Sequence, residues 1–169
     1  MKQIAFLLPA VAGAADLQLS IEIPRLQVAE YHRPYVAAWI EKPDRSVAVD
    51  LAVWYDVNMK ADEGETWLKD LRQWWRKSGR AKDLPIDGLS SPTRPVGKHP
   101  VKVPDLDLPS LDEGEYTLVV EASREVGGRE LVRIPFSWDG ETAVQSKASG
   151  ESELGEVTLS ISTHSDSKP

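Results

Sequence analysis

The sequence predicts a mainly β protein: an immunoglobulin-like two-sheet β-sandwich with one aromatic-rich α-helix over about residues 66–78 and a long proline-rich loop after it. Three observations carry this prediction. Apolar and polar residues alternate with period two in about six or seven short runs, as strands with one wet face require. A single stretch switches to a helical period. Turn-forming residues separate the runs at the spacing of a sandwich.

Leu17, Leu19, Ile21 and Ile23 point one way, with Gln18, Ser20 and Glu22 between them. Pro34 to Glu41 is apolar on both faces, as a central strand is. Val47, Val49, Leu51, Val53 and Tyr55 alternate with Ser46, Ala48, Asp50 and Ala52. The next sets are Tyr116, Leu118, Val120 and Ala122, then Val132, Ile134, Phe136 and Trp138, and finally Val157, Leu159 and Ile161. Gly127-Gly128 falls between two of these runs, where it is expected to supply the positive φ angles of a tight hairpin.

The helical stretch places Trp67, Leu68, Leu71, Trp74 and Trp75 on one face and Lys69, Asp70, Arg72, Gln73, Arg76 and Lys77 on the other. Thr66 is positioned to cap its start and Gly79 to end it in the left-handed conformation. The tryptophans read as the surface that seats the helix on a sheet, with one of them available to a partner. Six of the twelve prolines then fall at positions 85, 92, 95, 100, 104 and 109. Proline has no ladder donor, so residues 80–114 are expected to form an ordered crossing loop with at most a short edge strand. Residues 140–155 are polar and read as a mobile connection, and 163–169 as a disordered tail.

Lys2, the apolar run Ile4 to Val11, and the small residues Ala12, Gly13, Ala14 and Ala15 form the three-part pattern of a secretory signal peptide, cleaved after Ala14 or Ala15. The domain plan is therefore a leader over 1–15, one β domain over 16–162 and a tail. The expected location is periplasmic. No other run is long and apolar enough to span a bilayer. With 41% apolar residues the chain can build a full core without staples. It contains no cysteine, which removes thiol catalysis, thiolate metal sites and disulfides. Acidic residues outnumber basic ones 27 to 20, which argues against nucleic-acid partners and anionic membrane surfaces.

No catalytic constellation stands out. The three histidines, His32, His99 and His164, are scattered, and a metal site needs three or four convergent ligands. Asp105 and Asp107 near His99 read as turn acids, as do Asp112 and Glu113. There is neither a G-x-S-x-G elbow nor a glycine-rich phosphate loop. The corner Glu30-Tyr31-His32-Arg33 before a strand offers Glu30, His32 and Arg33 as candidate binding residues. Arg94 offers a further cation in the proline loop.

Five segments together resemble a known bacterial family: LQLSIEIPRLQVAEYHRPYVAAWIEKPD, LAVWYD, WLKDLRQWWRKSGR, DGLSSPTRPVGKHPV and GEYTLVVEASREVGGRELVRIPFSW, roughly residues 17–138. The chain is similar to the predicted periplasmic proteins of domain of unknown function 2271. The resemblance implies an exported, β-rich domain without an established activity. It also implies company with PepSY-type membrane redox proteins and with the transferase that attaches FMN to a Thr or Ser hydroxyl. That transferase's motif resembles Asp-x-x-Ser/Thr-Gly-Ala-Thr. In Asp87-Gly88-Leu89-Ser90-Ser91-Pro92-Thr93, the residues Asp87, Ser90 and Thr93 fall in register, while Ser91 and Pro92 replace the flexible Gly-Ala pair. On this resemblance Thr93 is the candidate acceptor for covalent FMN, and it is expected to be an exposed loop residue.

Three functional readings are open. The first is a non-enzymatic binding or accessory protein of an envelope redox or metal-handling system, with no bound cofactor. The second is a flavin-carrying electron-transfer protein with FMN at Thr93. The third is an envelope hydrolase, which requires two convergent carboxylates or a Ser–His pair.

Overall fold

The structure, a computed structural model, describes residues 15–101, 103 and 111–163. The expected leader, apart from Ala15, lies outside the described residues, as do Pro104, Asp105, Asp107, Pro109 and His164. Nine strands form two sheets among the described residues. They are β1 (Ala15–Ile23), β2 (Tyr35–Glu41), β3 (Val47–Tyr55), β4 (Ser90–Pro92), β5 (Gly97–Val101), β6 (Gly114–Ser123), β7 (Arg129–Trp138), β8 (Val144–Ser149) and β9 (Glu156–Thr163). One sheet has the order β5-β1-β9-β8 and the other β4-β3-β2-β6-β7. Every pairing is antiparallel except β3 with β4.

One hydrophobic core joins the two sheets. Leu17, Leu19, Ile21 and Ile23 of β1 and Val157, Leu159 and Ile161 of β9 share it with Val36, Ala38 and Ile40 of β2 and with the inward residues of β6 and β7. The strand β2 is buried on both faces because a second apolar cluster covers its other side. There Tyr35, Ala37 and Trp39 pack with Val53, Tyr55 and Val119 under Leu68, Leu71 and Trp74. The larger sheet is thus sandwiched between the smaller sheet and the helical segment.

Two bulges change the alternation expected for β3. Ala38 pairs with Ala52 and Trp39 with Asp50, leaving Leu51 over; Ile40 then pairs with Val49 and Glu41 with Val47, leaving Ala48 over. Each extra residue flips the faces of its neighbours further along the strand. Leu51 joins the inter-sheet core, while Asp50 faces the helical segment beside Val53 and Tyr55. The Trp74 indole N–H donates to Asp50 Oδ1 at 2.8 Å, the Ser78 hydroxyl donates to Oδ2 at 2.5 Å, and Lys82 pairs with Oδ2 at 3.0 Å.

The continuous helix expected over 66–78 is instead three short pieces: α1 (Glu63–Thr66), a 3₁₀ turn Leu68–Asp70, and α2 (Arg72–Lys77). The break has a physical cause. In an unbroken helix the N–H groups of Gln73 and Trp74 would bond to the carbonyls of Lys69 and Asp70. They donate instead to the Glu121 carboxylate of β6, at 3.0 and 2.9 Å. Glu121 is fully buried and also accepts from Arg129 at 2.9 Å. It caps α2 from another element, so Thr66 does not cap this segment. Gly79 does not end the helix in the left-handed region, since it lies in a 3₁₀ turn whose positive φ is absent. It is needed because a Cβ there would lie 2.5 Å from the Trp74 ring.

Two other expectations change. The proline-rich stretch contributes two short edge strands, β4 on the larger sheet and β5 on the smaller, so it crosses from one to the other. The polar stretch expected to be a mobile connection contains β8. There Val144, Ser146 and Ala148 are half-buried and Gln145, Lys147 and Ser149 exposed, a period of two written largely in small polar residues.

Two acids, Glu41, which is buried, and Glu130, which is half-buried, make the fold acid-sensitive. Burial alone would raise the Glu41 carboxyl, but Arg133, the Trp39 indole N–H and Lys77 outweigh it and hold the group below its ordinary value. Burial would likewise raise Glu130, but the N–H groups of Glu151, Leu154 and Ser152 hold it down. A carboxyl lowered in the folded state contributes stability that is full above its unfolded value and lost as pH falls through the folded one. The thermal midpoint is therefore expected to be flat near neutral pH and to drop between about pH 5 and pH 3. Glu41→Gln should remove part of that drop, and a midpoint that rises on acidification would contradict the assignment. Glu121→Ala, read by denaturant unfolding, should cost about 3 kcal/mol, because two helix N–H groups and Arg129 lose their partner. Glu121→Gln should cost less, since its amide oxygen still accepts from the helix. A Glu121→Ala midpoint equal to that of the parent would show that the cap contributes nothing.

Candidate functional site

A cleft of about 690 Å³ opens where the approach to β2, the β6–β7 hairpin and the helical segment meet. That volume lies in the range of small-molecule sites.

Its floor is built around one carboxylate. Thr93, just after β4, donates its hydroxyl to Asp56 Oδ1 at 3.4 Å. The Tyr35 hydroxyl at the start of β2 lies 3.5 Å from Asp56 Oδ2 and donates more closely to the Gly64 carbonyl, at 3.1 Å. Burial, and after it the charge of Asp56, pushes the Tyr35 phenol up to about 12. It therefore remains a neutral donor at any physiological pH. Gly64 is required here, because a Cβ would overlap the Asp56 carbonyl. The start of the helical segment is thereby seated against the end of β3.

One wall is the β6–β7 hairpin, residues 123–129. Arg124 grips Glu153 through two hydrogen bonds, of 2.8 and 3.1 Å, and the Gly128 N–H donates to the same carboxylate at 3.0 Å. Arg124 and Glu153 are both buried, and the Glu153 hydrogen bond leads the causes that raise Arg124 above its ordinary value. The glycine pair serves a different purpose from the one expected. Neither glycine has a positive φ; the left-handed residue is Val126, at φ 53°. A Cβ on Gly127 would overlap the Arg124 guanidinium, and one on Gly128 would lie 2.8 Å from Glu153 Oε1. The glycines let the chain close over this ion pair, while the strain of a β-branched residue in the left-handed region falls on the exposed tip.

The opposite wall is the helical segment, which contributes Trp67, Asp70 and Arg72, with Met59 from the turn between β3 and that segment. Trp67 precedes the break and is 47% exposed, whereas Leu68, Leu71 and Trp74 are fully buried. Arg129 reaches the cleft from β7 while bonded to Glu121. Six large hydrophobic residues are exposed among the described residues, and four of them, Tyr31, Met59, Trp67 and Val126, border this cleft.

The candidates from the sequence are divided by the fold. His32, Arg33 and Thr93 line the cleft. Thr93 is buried, not the exposed loop residue expected, because β4 lays the chain against β3 and brings the hydroxyl down onto Asp56. Glu30 stands outside, where its carboxylate meets His32 Nε2 at 3.0 Å. The other ring nitrogen of His32 lies 3.5 Å from Glu125. Asp87 is exposed in a turn, and Ser90 accepts the Ile86 N–H at 3.0 Å within β4; neither lines the cleft. Arg94 lies elsewhere, with its guanidinium 5.4 Å from the centre of the Trp54 ring. Tyr35, Asp56, Arg72, Arg124 and Arg129 were not singled out by sequence, although the glycine pair did mark the hairpin that carries two of them. Among the described residues no hydrogen bond joins His32 to a serine, and no three His, Asp or Glu side chains are grouped to hold a metal. No helix among the described residues is long and apolar enough to cross a membrane.

Residues 16–156 match the model of the family described as Predicted periplasmic protein (DUF2271), and the chain belongs to that family. No curated protein and no solved structure matches the chain.

The Arg124–Glu153 clamp should shape the hairpin wall. Glu153→Ala is expected to destabilise the protein by about 3 kcal/mol, the effect of leaving a buried guanidinium unpaired. Amide exchange should accelerate first over residues 124–128. Unchanged exchange in the hairpin would show that the clamp does not hold it.

Proposed function

We propose that this member of a periplasmic family is a non-enzymatic binding or accessory protein whose working surface is the cleft over Asp56 and Thr93. We read the two sheets with their shared core as an immunoglobulin-like sandwich, a rigid frame that presents the cleft. The observation that carries the proposal is the gathering of exposed apolar side chains at the mouth of a site with a polar floor. Exposed apolar groups concentrated at one concave place are a mark of recognition. The accessory role in an envelope redox system rests on the family resemblance. Among the described residues the side-chain partners of His32 are Glu30 and Glu125 and include no serine, which supports the binding reading over a Ser–His hydrolase.

A second reading is favoured by one specific observation: Thr93, the residue in register with an FMN acceptor, is the member of its motif that lines the cleft. A flavin attached there would have the cleft beside it. Asp87 and Ser90, the other in-register residues, would then act only in recognition by the transferase.

Intact-mass measurement on protein taken from its native periplasm separates the two. The binding reading expects any added mass to be lost on denaturation and the preparation to be colourless. A yellow preparation whose added mass equals FMN less water, survives denaturation and disappears in Thr93→Ala would establish the flavin carrier instead. A yellow Thr93→Ala protein would remove Thr93 as the attachment site.

A further inference from the structure

One side of the cleft is framed by two segments far apart in the chain. A strap over residues 24–34 carries the chain from β1 of the smaller sheet to β2 of the larger one. The β6–β7 hairpin is the other. The clamp of Arg124 on Glu153 fixes the base of this hairpin. Its tip is joined to the strap through His32, whose Nδ1 lies 3.5 Å from Glu125 Oε2. The same ring has Nε2 at 3.0 Å from Glu30 Oε1, on the strap itself. Both nitrogens of one imidazole thus face a carboxylate, with the ring 34% exposed.

We propose that His32 is a proton-operated latch between the strap and the hairpin. A neutral imidazole has one N–H and one lone pair, so it can donate to only one of the two acids. The shorter contact is with Glu30, which leaves the bare Nδ1 facing the Glu125 carboxylate. Only the imidazolium has an N–H for each acid, and both bonds are then charge-assisted. Histidine side chains ordinarily change charge between about pH 5 and pH 8. The link is therefore present at the acid end of that range and lost as pH rises through it. The other charged groups around the ring come from every side of the cleft: Arg33 follows His32 on the strap, Asp56 ends β3, and Asp70 and Arg72 lie on the helical wall. Arg124 and Arg129 are already paired, with Glu153 and Glu121. Among the described residues no carboxylate other than Glu30 and Glu125 lies within 4.0 Å of the ring nitrogens. The latch sets when the cleft is braced and does not depend on what the cleft binds.

Amide exchange of the full chain, followed residue by residue at pH 5.5 and pH 8 and corrected for the intrinsic effect of pH, tests this. Protection over residues 125–128, measured against the interior of β2, is expected to be about threefold higher at pH 5.5, the size of an exposed ion pair. Glu125→Ala should give the lower protection at both pH values. Glu30→Gln should give the higher protection at both. Its amide N–H can donate to Nε2, which leaves the N–H of the neutral ring on Nδ1 for Glu125. His99, whose Nε2 lies on the Pro95 carbonyl at 2.7 Å, is the control, and His99→Gln should keep the response. None of the three changed residues is buried, and unaltered thermal midpoints would confirm that the variants are folded. Protection that is independent of pH in the parent, or a response that survives Glu125→Ala or disappears in His99→Gln, would overturn the latch. A pH response kept in Glu30→Gln would overturn the tautomer argument on which it stands. No ligand enters the experiment, so these failures are distinct from a failure of the binding reading.

Discussion

The buried carboxylate of Glu121 is the interaction on which the rest of the molecule turns. A carboxylate removed from water on the face of a sheet is tolerable only if donors surround it. Two donors are the N–H groups of Gln73 and Trp74 in the first turn of α2, and the third is the Arg129 guanidinium. The outer face of the larger sheet repeats this device: Asp50 holds the Trp74 indole and Ser78, and Glu41 holds the Trp39 indole, Arg133 and Lys77. The helical segment is therefore attached by specific polar contacts as well as by Leu68, Leu71 and Trp74. Apolar packing alone would permit it to slide; the buried acids give it one position.

That position makes the cleft. By taking the N–H groups of Gln73 and Trp74, Glu121 forces the segment to break at Leu71, whose ψ of 70° is not helical. Arg72 then begins a new helix at the edge of the cleft, and Trp67, ahead of the break, is left at its mouth. The same carboxylate holds Arg129 on the opposite side. At the other end, the Tyr35 hydroxyl ties Gly64 to the start of β2 and Asp56 receives Thr93. The cleft is the space left between two attachments that the buried polar groups require.

Much of this was legible in the sequence because strand faces obey a period of two. Leu17 to Ile23 and the inward residues of β6 and β7 obey it, and β2 is legible by its lack of a wet face. The hidden features depend on partners distant in the chain. The bulges at Ala48 and Leu51 move Asp50 to the helix side, and no local pattern marks them. The helical period from Trp67 to Trp75 is genuine at Leu68, Leu71 and Trp74, yet a carboxylate 48 residues away interrupts the ladder. The strand β8 escaped because Ser146 and Ala148 provide little contrast with their neighbours. At the site, His32, Arg33 and Thr93 could be singled out from local motifs. Asp56 and Arg72 could not, since their meaning comes only from what the fold sets opposite them.

The two functional readings make different demands on Thr93. For a binding protein its hydroxyl is a structural donor: it satisfies Asp56 and closes the floor, and its burial is an advantage. For a flavin carrier the same hydroxyl must leave Asp56 and reach a modifying enzyme, with Pro92 limiting the backbone ahead of it. Its hydrogen bond to Asp56 is long, at 3.4 Å, and so gives up little when broken. The greater obstacle is the β4 pairing with β3, which holds the residues just before Thr93 against the neighbouring strand at the edge of the sheet. Three residues of parallel edge pairing form a small unit that can open without disturbing the core. Attachment would therefore require opening of this edge before or during folding onto β3, whereas non-covalent binding requires no such step. A ligand held without a covalent bond would leave both the β4–β3 pairing and the Thr93–Asp56 contact in place.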